Sequence, residues 1–142
     1  MKKMYVDRIL ELAKKGYDND EIPVGAIIIK DNQIIGEGIN SRKNKLSVIG
    51  HAEINAIEEA CKNVGDWRLD DCVMYVTLAP CMMCTGTIVE SRINKVYYLC
   101  DRTNVCFEPS EYLSIQKINN VEMQEKYMKL LQLFFENKRN KL

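Results

Sequence analysis

The sequence predicts an α/β layer structure in which helices cover a sheet. Three observations lead there. Short apolar runs rich in β-branched residues are bounded by turn residues, stretches of helical period lie between them, and 142 residues suit one domain with a real core. One domain over residues 1–142 is therefore expected, without repeats, linkers or low-complexity segments.

The elements follow in order. Met4, Ile9, Leu10, Leu12 and Ala13 lie among charges over residues 3–16, which suits an amphipathic helix ending near Gly16. Tyr17-Asp18-Asn19-Asp20 is a turn, and the run from Ile22 to Ile29 reads as a buried strand. Asp31-Asn32 makes a hairpin turn into a second strand over residues 33–39. A polar, basic loop, Ser41-Arg42-Lys43-Asn44-Lys45, precedes a helix over residues 51–63, and residues 64–71 form a loop with the only tryptophan, Trp67, as a packing residue. A strand over 72–78, a helix from about 82 to 91 and a strand over 95–99 come next. Beyond them, 109–113 reads as a short helix and 120–123 as a short edge strand. The C-terminal helix carries Tyr127, Leu130, Leu131, Phe134 and Phe135 on one wide stripe, of which Tyr127, Leu130, Leu131 and Phe134 are expected to pack in the core.

Bulk properties narrow the function classes. The composition, 46% hydrophobic and 28% charged, is that of a globular protein, and no apolar run reaches the length of a membrane span. Charges at Asp7, Arg8 and Glu11 interrupt what would be a signal core, so no secretory signal is expected. Of the six cysteines only Cys81 and Cys84 are closely spaced. Cys61, Cys72, Cys100 and Cys106 are expected in helices or strands as buried free thiols, which fits a cytoplasmic protein with one metal-type pair. The formal net charge is zero, so no global field attracts a polyanion, although local patches can suffice.

The chemistry-bearing residues lie in two stretches. Gly50-His51-Ala52-Glu53 contains H-x-E, and Ala79-Pro80-Cys81-Met82-Met83-Cys84 contains P-C-x-x-C. A catalytic zinc commonly takes three protein ligands and keeps a fourth position for water, and His51, Cys81 and Cys84 supply three. Cysteines three apart share a helix face, and a helix N-terminus favours thiolates. His51 and Glu53 are about 200° apart around an ideal helix, so both can face one pocket only if it lies off the helix start. That predicts a Zn2+ between the starts of two helices. Zinc lowers the pKa of bound water to roughly 7, and Glu53, a carboxylate that is not a ligand, would move the proton.

Blander readings exist for each feature. C-x-x-C alone can be a redox pair, but Met82 and Met83 stand between these cysteines. A structural zinc would need a fourth ligand from Cys72, Cys100 or Cys106 and would leave Glu53 without a role. The basic loop and the tail Lys138-Arg139-Asn140-Lys141 are often solvated ends.

The pairing of H-x-E with P-C-x-x-C resembles the signature of zinc-dependent deaminases. Further segments sharpen the likeness: Glu21-Ile22-Pro23-Val24-Gly25-Ala26, Gly38-Ile39-Asn40, Trp67-Arg68-Leu69, Leu78 to Cys84, Ser91-Arg92-Ile93, Ile118-Asn119-Asn120, and Leu130 to Phe135 with Arg139. They are similar to the bacterial tRNA adenosine deaminases, of the cytidine deaminase superfamily, which convert wobble adenosine to inosine. The resemblance implies a cytidine deaminase-like, three-layer α/β/α fold with a five-stranded mixed sheet, and a homodimer with active sites near the subunit interface. It also implies metal ligation by His51, Cys81 and Cys84, proton shuttling by Glu53, and substrate binding by Asn40, Ala52 and Pro80. Arg42, Lys43, Lys45, Phe134, Phe135 and Arg139 would contact RNA. Three departures bear on the substrate: Ala79 stands where the family usually carries Glu, residues 104–110 replace its Gly- and Ser-containing segment, and Asn120 stands where it often has His.

The leading expectation is deamination of adenosine in a tRNA anticodon stem-loop. The alternative is a deaminase of a free nucleobase or nucleoside of the cytosine, guanine or cytidine type, and the third is a non-catalytic zinc-stabilised interaction domain. An open cleft mouth lined by residues 42–45 and the C-terminal helix would fit RNA, and one closed by that helix or by 104–113 would fit a small molecule.

Overall fold

The computed structural model describes residues 2–140. Its elements run α1 (Lys3–Asp18), β1 (Gly25–Lys30), β2 (Gln33–Ile39), α2 (Ala52–Val64), β3 (Val73–Leu78), α3 (Met82–Glu90), β4 (Lys95–Cys100), a 3-10 turn (Pro109–Glu111), β5 (Ser114–Lys117) and α4 (Val121–Asn140).

The five strands form one mixed sheet in the order β2-β1-β3-β4-β5. β1 is antiparallel to both β2 and β3, whereas β3, β4 and β5 run parallel. The β1–β2 hairpin turns on Asp31 and Asn32, whose φ values of 51° and 62° give the left-handed pair that matches strand twist. Alternation along β1 sorts the core into two halves. Ala26 and Ile28 face α2 and α3, where Ala52, Ala56, Ile57, Ala60 and Ile88 pack with Met74, Val76 and Val96. Ile27 and Ile29 face α1 and α4, where Val6, Ile9, Leu12 and Tyr127 pack with Tyr75 and Leu99. Both faces of the sheet are thus covered, which is why β1 reads as an unbroken apolar run. The expected three-layer α/β/α arrangement with five strands is the one observed.

Several boundaries differ from the sequence reading, each for a packing reason. α1 continues two residues past Gly16, which is buried beside Ile22 and Pro23 within the helix and does not end it. β1 starts at Gly25, not Ile22. Pro23 has no N–H to donate, and the carbonyls of Ile22 and Pro23 accept side chains instead, from Asn40 Nδ2 at 3.0 Å and Tyr127 Oη at 2.7 Å.

The edge strand expected over 120–123 is a correction. The fifth strand is Ser114–Lys117, parallel to β4, and Val121 opens α4. Asn120 caps that helix, its Oδ1 accepting the Met123 N–H at 3.1 Å, so the local apolar pattern was outweighed by capping chemistry. Trp67 is also corrected. It is 58% exposed, not packed, and lies between the guanidinium groups of Arg68 and Arg92 at 5.8 and 5.5 Å. All six cysteines are free, but Cys106 is exposed in a segment without regular structure and Cys61 is only half-buried. Among the described residues no helix is long and apolar enough to cross a membrane.

Candidate active site

α2 is set against the sheet by glycine. A Cβ on Gly38 would collide with the Ala52 carbonyl, so only glycine lets the first turn of α2 lie directly on β2. Asn40, at the end of β2, then fixes the helix start. Its Oδ1 accepts the Ala52 N–H at 2.8 Å while its Nδ2 donates to the Ile22 carbonyl at 3.0 Å. His51 is the N-cap of α2 in extended conformation, and Glu53 lies in the first turn.

The second half of the site comes from the end of β3. Pro80 is buried, Cys81 is the N-cap of α3, and Cys84 lies in that helix's first turn with its side chain fully buried. The Cys84 N–H donates to Cys81 Sγ at 3.4 Å. The two helix starts face each other, so both positive ends point at the same place.

Between them His51, Cys81 and Cys84 bring one donor atom each to within 4.8 Å of one another. His51 Nδ1 lies 3.4 Å from Cys84 Sγ and 3.7 Å from Cys81 Sγ. A tetrahedral zinc with ordinary Zn–S and Zn–N lengths requires an N–S edge of about 3.6 Å, so the donor set fits that ion in spacing as well as in ligand type. The Cys81 thiol is pulled down to about 3, by hydrogen bonding from Cys84 and then by His51, against the opposing effect of burial. Cys84 is pushed up, first by its hydrogen bond with Cys81 and then by burial. One thiolate is therefore favoured at this place even in the bare protein.

Glu53 is 4% exposed, and burial raises its pKa above the ordinary carboxylate range. It lines, together with His51, a cleft of about 510 Å³ whose walls are Ile22, Val24, Leu78 and Ala79 on the sheet side and Met128, Leu131, Gln132 and Phe135 from α4. Asn40, Arg42, Asp101, Arg102 and Thr103 complete its lining. A buried acid next to a three-donor metal set, lining a largely apolar cleft of nucleoside size, is equipped for general acid–base chemistry on a planar polar ring.

The remaining expected site residues are divided by the fold. Ala52 and Pro80 are buried behind the cleft, and Ala79 forms its wall at this turn. Arg42 lines the cleft and a neighbouring depression of about 490 Å³, which Phe134 and Lys138 share. Phe134 is buried, stacked edge-on against Tyr17 and Phe135, whereas Phe135 reaches the cleft. Lys43 and Lys138 are both bound to Asp20, so the basic loop and the last turns of α4 do meet, with part of their charge neutralised. Lys45 lines a separate polar depression with Glu58 and Glu59, and Arg139 is exposed near the end of α4. Residue 141, counted in the basic tail, lies outside the described residues.

Arg102 and Met128 belong to the cleft but not to the sequence reading, and Leu131, expected in the core, lines the cleft with Gln132 instead. Arg102 had a usable signal, because it follows the C-terminal end of a strand parallel to β3, where α/β sheets place their ligands.

The profile of the MafB19-like deaminase family matches residues 1–139 of this chain. A tRNA-specific adenosine deaminase of Bacillus subtilis (strain 168) is 41% identical over 95 residues, covering 67% of this chain and 59% of the relative, so the chain spans under two thirds of that protein's length. A tRNA-specific adenosine deaminase of Buchnera aphidicola subsp. Schizaphis graminum is 36% identical over 137 residues, covering 92% of this chain and 91% of the relative. Among solved structures, one from studies of A-to-I editing by tRNA:A34 deaminases at the wobble position superposes with a TM-score of 0.81 at 26% identity, covering 92% of this chain and 100% of the other.

Proposed function

The chain belongs to the MafB19-like deaminase family and is related to the tRNA-specific adenosine deaminases, and from that membership we propose that it hydrolyses adenosine to inosine at the wobble position of a tRNA anticodon. The observation that carries the chemistry is the convergence of His51, Cys81 and Cys84 beside the buried Glu53.

Zinc fits the donor set, and when bound it lowers the pKa of water to about 7 and so supplies the nucleophile. The protein's own residues do the rest. His51, Cys81 and Cys84 hold the ion. Glu53 accepts the water's proton and passes it to the ring nitrogen next to the amino-bearing carbon; it then takes the proton of the hydroxyl newly bonded to that carbon and gives it to the departing amino group, so that the C–N bond breaks as the carbonyl forms. Water and adenosine become inosine and ammonia, and Glu53 ends in the state it began. Its burial suits both roles, since a raised pKa makes the carboxylate a better proton acceptor near neutral pH. Asn40 holds the floor of the cleft and retains one N–H and one lone pair for the base, with Ala52 and Pro80 supporting it from behind.

A base in an anticodon loop can be splayed out into such a cleft. The lining supports that substrate: it includes Arg42 and Phe135, suited to a phosphate and a base face. Lys43, Lys45, Phe134 and Arg139 are assigned to the surrounding RNA surface. Incubating zinc-loaded protein with an anticodon stem-loop and, separately, with free adenine, guanine, cytosine and their nucleosides tests the reading. Inosine in the stem-loop is the expected product; turnover of a free base or nucleoside alone would move the assignment to small-molecule deamination.

The partner proposed besides RNA is a second copy of this chain, and the location the cytoplasm. The outer face of α3 offers the docking surface. Met82 is 57% exposed, and among the described residues nothing lies within reach of a Cβ built on Gly86 and Thr85 Oγ1 is buried without a hydrogen-bond partner. They line a groove of about 310 Å³ with Val89, Phe107 and Tyr112.

A further inference from the structure

We propose that Arg102 is the residue with which the cleft reads a phosphate, so that the substrate is a nucleotide, alone or within a polynucleotide, and not a free base. The proposal rests on the deaminase reading of the cleft.

The sheet places Arg102. β3 and β4 run parallel with Leu78 opposite Cys100, and the Ala79 N–H donates to the Cys100 carbonyl at 2.9 Å. Both strands therefore end at one level. The chain leaving β3 carries the two cysteines, the chain leaving β4 carries Arg102, and Arg102 lines the same cavity as His51 and Glu53.

Its charge is uncompensated. Asp101, the adjacent carboxylate, is taken by Tyr98 Oη at 2.9 Å and Lys117 Nζ at 2.6 Å. Ala79, on the neighbouring strand end, carries no charge. Asp20, in the neighbouring depression, is occupied by Lys43 and Lys138. Arg102 is half-buried and has no ion-pair or side-chain hydrogen-bond partner among the described residues, and Arg42 in the same lining has none either. A partly desolvated guanidinium without a counter-charge is unfavourable, and an anionic ligand resolves it. The planar fork of arginine matches two oxygens of a phosphate, which a free base lacks.

Calorimetric binding to zinc-loaded protein tests this with three probes: inosine, inosine 5′-monophosphate, and a short stem-loop RNA carrying inosine in its loop. The wild type should bind at least one phosphate-bearing probe about tenfold or more tighter than inosine, the size of one charge-assisted contact. Arg102→Gln should shrink that preference by about tenfold, and Arg102→Lys should restore part of it. A preference for the monophosphate identifies a terminal phosphate, and one confined to the RNA identifies an internal phosphodiester. An undiminished preference in Arg102→Gln, or none in the wild type, overturns the proposal. Ammonia release from an adenosine stem-loop, measured in parallel, separates the two claims: release with an undiminished preference removes Arg102 alone, while no release from any adenosine substrate removes the deaminase reading and this proposal with it.

Discussion

The side-chain oxygen of Asn40 accepts the backbone N–H of Ala52 at 2.8 Å, between the two residues, His51 and Glu53, on which the site depends. The other end of the same amide holds the Ile22 carbonyl. Asn40 is 8% exposed, so removing it strands a buried N–H and a buried carbonyl. Asn40→Ala should lower unfolding stability by about 1–3 kcal/mol, read from denaturant titration. Unchanged stability together with lost activity would mean that Asn40 serves the substrate only.

Glu53→Ala and Glu53→Gln should keep the metal, by elemental analysis, and lose turnover by a factor of about 10²–10⁴, because the proton transfer is removed while the three donors stay. Retained turnover would overturn the assigned mechanism.

Chelation, or Cys84→Ser, should abolish activity and lower the melting temperature together. The donors lie at two helix starts, one from each half of the site, and a bound ion stabilises the state in which they meet. Activity that survives complete metal removal, verified by elemental analysis, would exclude the hydrolytic metal site.

Asp20 is held down to about 2 from its ordinary 3.8 by Lys138 first and Lys43 second. A carboxylate depressed in the folded state contributes stability above its unfolded pKa and loses it as pH falls through the folded value. The contribution should therefore fade between about pH 4 and 2. Melting temperatures of wild type and Asp20→Asn should converge across that window; parallel curves would show that the bridge between loop and helix adds nothing. The group is exposed, so the effect should also weaken with salt.

A Cβ at Gly86 meets open space on the outer face of α3, so Gly86→Arg starts a bulky, charged side chain there without a backbone clash. It should leave the monomer folded, by circular dichroism, and shift the mass in sedimentation from dimer to monomer. A dimer that persists would place the subunit contact elsewhere.

The two motifs were legible because their chemistry is local. Two cysteines three apart at a helix start share a face wherever that helix lies, and H-x-E at a second helix start leaves few ways to bring the imidazole and the carboxylate together. The core was legible for a similar reason, since an unbroken apolar run along β1 requires a cover on each face. The 101–123 region was not. Its strand is four residues long and mostly exposed, and its apolar signal is weaker than the capping signal of Asn120 that follows it.

By itself the sequence determined the layered α/β class and pointed to the three candidate donors and the acid beside them, since these follow from residue type and short-range spacing. Tertiary structure alone decided what surrounds them. β3 and β4 end level with one another, so Arg102 faces the site; α4 turns Phe134 inward and Phe135 to the cleft; Asp20 takes two lysines that the sequence leaves free. Each is a contact between residues far apart in the chain, set by strand order and helix rotation, and no local pattern encodes either.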